Sequence, residues 1–355
     1  MEFYLIDDQK LRSLCVDIFK REGLDDTSSA DVADMLISAD LRGVRSHGVI
    51  RVKKYLDRIS SGGANKNANM RVVHETPVTA IIDADNGLGG VVSGMAVRLA
   101  RSKAEQYGFG MVSVKNSNHF GMAGHWALKL AEDDMIGFCG SNTSPGMPPP
   151  GAIKAGIGNN PFAIAYSGNR YKDVCVDMAS SVVAMGKAVD LVQRGQPVPF
   201  GWFLDKDGND SNDLRQAAMV LPFAGHKGYG IAFVVETLSS LLSGGALPQN
   251  MNNQMQGDKP ELASQYFAAI KIDAFRPAAE FRADVDTYID FLKTLPVKED
   301  VDFVKYPGEI ELNNTKQILA QGVRLPETLV NELAAVAKGY AIPEAQFAFL
   351  TERRA

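Results

Sequence analysis

Residues 79–92, TAIIDADNGLGGVV, decide what kind of α/β protein this chain can be. A strand-like run over 79–82 enters Asn86-Gly87-Leu88-Gly89-Gly90, and helical periodicity follows over 91–106. That is the setting in which a G-x-G-x-x-G fingerprint holds a dinucleotide pyrophosphate. Here the sixth position is Val92, where the fingerprint wants glycine or alanine. The next strand, 110–114, ends at Lys115, where an acidic residue would take the ribose of NAD. The fingerprint fails at both points. The glycines therefore read as a turn within a βαβ-like unit, and the expected fold class is α/β but non-Rossmann.

Outward from this unit, the 355-residue chain opens with helical periodicity over 7–19 and 29–41, the second run preceded by Thr27 and Ser28 as candidate caps. A third helix is expected over 49–59, stopping at Gly62-Gly63. Residues 116–168 are rich in Asn, Ser, Gly and Pro and read as loops, where binding groups concentrate. Beyond them, 174–178 reads as a buried strand, and 203–205 as a strand entering the tight turn Lys206-Asp207-Gly208. A long apolar helix is expected over 228–242, a strand over 268–272, and an amphipathic helix over 326–338 with Pro326 in its first turn.

Composition narrows the function. Hydrophobic residues are 45% and charged residues 22%, as in ordinary globular chains, and a net charge of -5 supplies no field for a phosphate backbone. Nucleic acid is not an expected partner. Glu236 interrupts the most apolar stretch, 230–242, which is too short to span a bilayer, so no membrane association is expected. The N-terminus lacks the basic and apolar regions of a signal peptide, and the three cysteines are odd in number and dispersed; both point to a cytoplasmic protein.

Two segments carry candidate chemistry. Ser46-His47-Gly48 stands at the expected start of the third helix, and His47, Arg51 and Tyr55 are spaced i, i+4, i+8, so all three can face one side. A histidine exchanging a proton beside an arginine gripping a carboxylate is what reduction of a 2-oxo acid requires. On spacing alone the same residues read more readily as a serine cap, a surface histidine and a solvated arginine. His119 follows a strand within Asn116-Ser117-Asn118-His119-Phe120-Gly121, with His125 six residues on. That spacing and the dispersed cysteines match no zinc site, and no metal is expected. His226-Lys227 lies ahead of the long apolar helix, where backbone amides and the dipole favour an anion, although an exposed lysine at a glycine-rich helix entry is an equal reading. Asp205, Asp207 and Asp210 do not form a calcium loop, because Gly208 falls at its fourth position.

Taken in order, LRGVRSHGVIRV from Leu41, NSNHFGMAGHWA from Asn116, GIGNNPFAIA from Gly156, VDMASSVVAMGKA from Val176, LPFAGHKGYGIAFVVETLSSLLSGG from Leu221 and YPGE from Tyr306 resemble the type-2 malate/L-lactate dehydrogenase family. That family also holds ureidoglycolate, sulfolactate and diketogulonate enzymes. The resemblance implies a non-Rossmann nicotinamide-binding domain over 116–289 and a helical, substrate-side lobe built from both termini, 1–115 with 290–355. It implies that His47 donates the proton, Ser46 orients it, and Arg51 grips substrate, with Thr143 also on the substrate side; the i, i+4, i+8 spacing adds Tyr55 to that side. His119 is a second candidate acid. Cofactor contacts fall on His119, Phe120, Gly121, Met122, Ala123, Thr143, Asp177, Met178, Ala179, His226, Lys227, Pro307, Gly308 and Glu309. The implied cofactor is NAD or NADP, and the implied assembly a homodimer with the site near the subunit interface. Residues 249–258 depart from the family pattern. The implied reaction interconverts a small 2-oxo acid and its 2-hydroxy acid; oxidation of ureidoglycolate and a non-catalytic dinucleotide-binding role are the alternatives.

Overall fold

The computed structural model describes residues 2–193, 195–254 and 256–352, so residue 255 of the divergent 249–258 segment lies outside the described residues. Strand β1 (Phe3–Ile6) leads into helices α1 (Asp8–Glu22) and α2 (Asp26–Leu41). The cap of α2 is Asp25 rather than Thr27 or Ser28: it is the last extended residue, and its carboxylate accepts the Ser28 amide. The expected third helix is broken. Arg45–His47 and Val49–Arg51 form two separate 3₁₀ turns, and α3 begins only at Val52 (Val52–Ser60). The break lies at Gly48, whose backbone is extended and whose missing Cβ makes room for the Asp40 carboxylate, 2.0 Å from where that Cβ would stand.

Next come β2 (Arg71–Glu75), β3 (Thr79–Asp83), α4 (Gly89–Tyr107) and β4 (Phe109–Ser117). Strands β3 and β4 pair in parallel around α4, which is the expected βαβ unit. The glycine turn is also as read, with Asp85 and Asn86 at positive φ. A Cβ on Gly89 would lie 2.2 Å from the Asn118 carbonyl oxygen and 2.3 Å from that of His119. The start of α4 is thus closed by the chain's own backbone.

The segment 116–168, expected as loops, holds α5 (Ala123–Leu130), β5 (Met135–Ser141) and β6 (Phe162–Tyr166). Strand β7 (Val174–Met178) has the expected bounds but is buried only at Val174 and Cys175. After α6 (Met185–Gln193), the short strands β8 (Phe203–Leu204), β9 (Asp210–Ser211) and β10 (Met219–Val220) form a small sheet, and Asp205 caps the expected turn by accepting the Asp207 and Asn209 amides. Helix α7 (His226–Glu236) gives way to a π-helical turn over Thr237–Leu241 instead of running on as one helix. Strand β11 (Ala263–Lys271), α8 (Ala278–Lys293), α9 (Glu309–Gln321), β12 (Val323–Pro326) and α10 (Glu327–Gly339) complete the chain. Pro326 ends β12 and caps α10 rather than lying inside it.

The result is a mixed α/β molecule. Its main sheet has the order β2-β3-β4-β11-β5-β6-β7, antiparallel except at β3–β4. The β4 strand runs through residue 115, so the sheet draws strands from both sides of that position. The main core packs α1, α2 and α10 with the sheet, around fully buried Phe19, Leu36 and Phe267. Two consequences matter for the site. Gly48 bends the chain after α2, and the β4–α5 connection carries His119 to meet that bend.

Candidate active site

His47 and His119, 72 positions apart, stack with ring centroids 5.4 Å apart and planes 24° from parallel. Ser46 Oγ lies 2.9 Å from His47 Nδ1. The turn is held from beneath by Asp40, whose buried carboxylate accepts the Val49 amide at 2.7 Å. Tyr55, buried on α3, places its hydroxyl 2.8 Å from His119 Nδ1, and the Gly121 amide donates to the same nitrogen at 3.3 Å. An amide can only donate, so Nδ1 is an acceptor and the proton of neutral His119 is on Nε2. Arg51 does not share a helix with His47; its Nε donates to the Ser46 carbonyl at 2.7 Å and its guanidinium also reaches the Gln254 side chain. The expected grouping of His47, Arg51 and Tyr55 is present, produced by a bend and not by one helical face.

Both imidazoles resist protonation. Burial, with Arg51 adding to it, lowers His47 to about 4. His119 lies well below the ordinary histidine range through burial and the charges of Arg51, His47, Lys54 and Arg58. At neutral pH both rings are therefore uncharged. Glu261 is the carboxylate facing these cations; 5% exposed, it accepts the His119 amide at 2.9 Å, and burial raises its pKa against the pull of Arg58.

The remaining expected contact residues divide into groups. Phe120, Met122 and Ala123 are buried in the turn into α5, where the Phe120 carbonyl accepts Trp126 Nε1, and Gly121 takes φ +79 with Met35 packed where a side chain would go. Asp177 on β7 accepts the Gly124 amide at 2.8 Å, which ties the edge strand to the first turn of α5; Met178 is 36% exposed and Ala179 follows the strand end. Thr143 donates its amide to Asn160 Oδ1 and its hydroxyl to Asn159 Oδ1, both at 3.0 Å. His226 and Lys227 are exposed in the first turn of α7, not ahead of it, and no side chain caps that end. The Pro307 carbonyl accepts the Cys175 amide, and Gly308 has φ +90 against the Asp173 carbonyl. Glu309 spends its carboxylate on Lys293 at 2.7 and 2.8 Å and on the Tyr306 amide.

The family profile described as malate/L-lactate dehydrogenase matches residues 6–334. The chain belongs to the malate/L-lactate dehydrogenase family. It is 35% identical over 93% of both chains to the malate dehydrogenase of Pyrococcus horikoshii, and 30% identical to the NAD(+) ureidoglycolate dehydrogenase of Escherichia coli O157:H7, covering 88% of this chain and 89% of that one. The structure of sulfolactate dehydrogenase from Methanocaldococcus jannaschii superposes with a TM-score of 0.90 at 32% identity, over 97% of this chain and 99% of that one. As a malate/L-lactate dehydrogenase family member the protein is an oxidoreductase of hydroxy acids.

Several residues around the histidines of this family member are not apparent from motif reading: Asp40, Lys54, Arg58, Asn118, Gln254 and Glu261. Lys54 and Arg58 carry a signal that helix geometry could have supplied, since they follow Arg51 by three and seven residues. Glu261 and Gln254 come from a distant segment and carry none. Behind Thr143, the buried Glu236 of α7 accepts the amides of Asn142 at 2.9 Å and Asn160 at 3.0 Å. Among the described residues no cluster of His, Cys, Asp or Glu is disposed to hold a metal, and no helix is long and apolar enough to cross a membrane.

Proposed function

We propose that the protein interconverts a small 2-oxo acid and its 2-hydroxy acid using NAD or NADP, with His47 moving the proton and Arg51 binding the acid group. One observation carries this reading: a serine-bonded imidazole stacks on a second imidazole with a guanidinium alongside. Neutral His47 takes the proton from the hydroxyl of a bound hydroxy acid and returns it to the carbonyl oxygen in the reverse direction. His119, whose Nδ1 faces the Gly121 amide, is held as an Nε2 donor and polarises that oxygen. Tyr55 fixes its ring.

The residues present fit a nicotinamide dinucleotide. The first turn of α7 has no side-chain cap and exposes Lys227, and nothing lies within 4 Å of where a Cβ on Gly225 or Gly230 would stand, which leaves room for a phosphate at the positive end of the helix. When bound, the cofactor supplies or accepts the hydride. In this reading 116–289 form the cofactor side, including His119 to Ala123, Thr143, Asp177 to Ala179 and His226-Lys227, while 1–115 with 290–355 form the non-Rossmann protein's substrate side and bring in Pro307 to Glu309. The working unit is a homodimer in the cytoplasm; the exposed Phe233, Val234, Leu241 and Leu242, all about half exposed, offer an apolar face to a second copy.

The experiment is the loss of NADH or NADPH absorbance with oxaloacetate, pyruvate, sulfopyruvate and diketogulonate. Turnover of at least one acid is expected, and failure with all four and both cofactors refutes the reading.

A further inference from the structure

His125 on α5 takes no part in the histidine centre, yet it is 5% exposed and neither ring nitrogen makes a hydrogen bond among the described residues. Arg42, just past α2 and 6% exposed, is nearly as bare. Its Nη1 donates to Asp173 at 3.1 Å, while Nε and Nη2 find no acceptor among the described residues. None of these nitrogens is sealed from solvent, since the fully enclosed polar atoms without partners are on Arg58, Ser93, Ser264 and Gln265. Buried polar groups are normally satisfied, so two such side chains left open call for a partner. Both line one open cleft of about 360 Å³ between α1, α2, α5 and α9, and no residue of the histidine centre lines it.

The chemistry of the cleft selects its ligand. Nε and Nη2 form the side-on fork of a guanidinium, which grips a carboxylate by two parallel bonds. Burial, and after it the charges of Lys129, Arg12 and Arg42, lowers the His125 pKa to about 3, so at neutral pH the ring offers an uncharged N–H among cations. The neighbours also limit the ligand's charge. Arg12 is paired with Asp34, Lys129 with Glu132 and Arg42 with Asp173, so a dianion meets three carboxylates around the cleft, whereas a monoanion needs only the open fork. Leu41 and Leu128 supply an apolar wall for a short carbon chain.

We propose that this cleft is a second ligand site, separate from the histidine centre, which holds a small monocarboxylic acid. The carboxylate lies between the Arg42 fork and the His125 ring, and the carbon chain lies against Leu41 and Leu128.

The test follows isotope-labelled histidine rings by NMR while the protein is titrated with butyrate. The chain has five histidines, and the His125 signal is the one lost in His125→Gln. That signal should shift saturably with butyrate, stay in place with sodium chloride at matched ionic strength, and move much less with inorganic phosphate. The His47 and His119 signals report separately on any butyrate held at the histidine centre. Arg42→Lys keeps the charge but loses the fork, and should weaken butyrate at the His125 signal by about 10-fold or more, the worth of one charged hydrogen bond. If Arg42→Lys does not fold, Thr315→Phe, which fills the cleft from α9, should abolish the shift. The proposal is overturned by a His125 signal that butyrate does not move, by one that chloride or phosphate moves equally, by unchanged affinity in Arg42→Lys, or by a shift that survives Thr315→Phe.

Discussion

His47 is a weak base because of where it sits, and its pH dependence follows from that. Its pKa is lowered to about 4, first by burial and then by Arg51, so the proton-accepting form is present from neutral pH down to about 4. In the oxidative direction kcat/KM, which reports the free enzyme, should stay level below pH 7 and fall only as pH drops through about 4. In the reductive direction the protonated ring is needed, so kcat/KM should rise as pH falls from 7 toward 4. A break near the ordinary histidine value, about 6.5, in both directions would contradict the buried setting. Arg51 gives a second expectation at this scale. Its Nε is used on the Ser46 carbonyl, so Arg51→Lys loses both the planar fork and the strut under the His47 turn. The KM for a 2-oxo acid should rise while that for the corresponding amide stays level. Equal change on acid and amide would remove the carboxylate role from Arg51.

At the scale of elements, the glycine turn before α4 has a job that can be tested. Gly89→Ala drives a Cβ into the Asn118 and His119 carbonyls, and backbone cannot swing aside as a side chain does. We expect a stability loss of about 1–3 kcal/mol in denaturant unfolding together with a fall in kcat, because the displaced peptide carries His119. Gly339→Ala is the control, since nothing lies within 4 Å of its Cβ position, and it should change neither. Equal behaviour of the two variants would show that the close approach is not what Gly89 is for. The βαβ unit, α1, α2 and α10 were legible in the sequence because a regular apolar period faces the core. Strand β5 was not, because Gly137 and Gly140 remove the period where the Ala127 carbonyl and the Tyr266 ring pack closely. Helix α9 buries none of its residues, and α8 buries the polar Asp286, which caps the backbone at Arg170 and Tyr171. The break at Gly48 was invisible because its cause, the Asp40 carboxylate, lies eight residues back on another helix. Of the site, the histidines, Ser46 and Arg51 were legible by motif, while Glu261 and Gln254 were not, since only folding brings the 254–261 segment to α3.

For the molecule as a whole, the site exists because the topology joins distant parts. Strand β11 inserts between β4 and β5 and carries the chain from Glu261 past His119, and the pairing of β1 with β12 brings the two ends of the chain together. The central claim is that the meeting of the α2–α3 bend with the β4–α5 connection is a catalytic centre in which His47 moves the proton. The most direct measurement is single-turnover reduction of a 2-oxo acid that the wild type accepts, followed by loss of NADH or NADPH absorbance in wild type, His47→Ala and His119→Ala, with cofactor affinity titrated by fluorescence in each. His47→Ala should slow turnover by about 10²- to 10⁴-fold with cofactor affinity nearly unchanged, and His119→Ala should slow it less. Near wild-type turnover in His47→Ala beside an inactive His119→Ala would contradict the account.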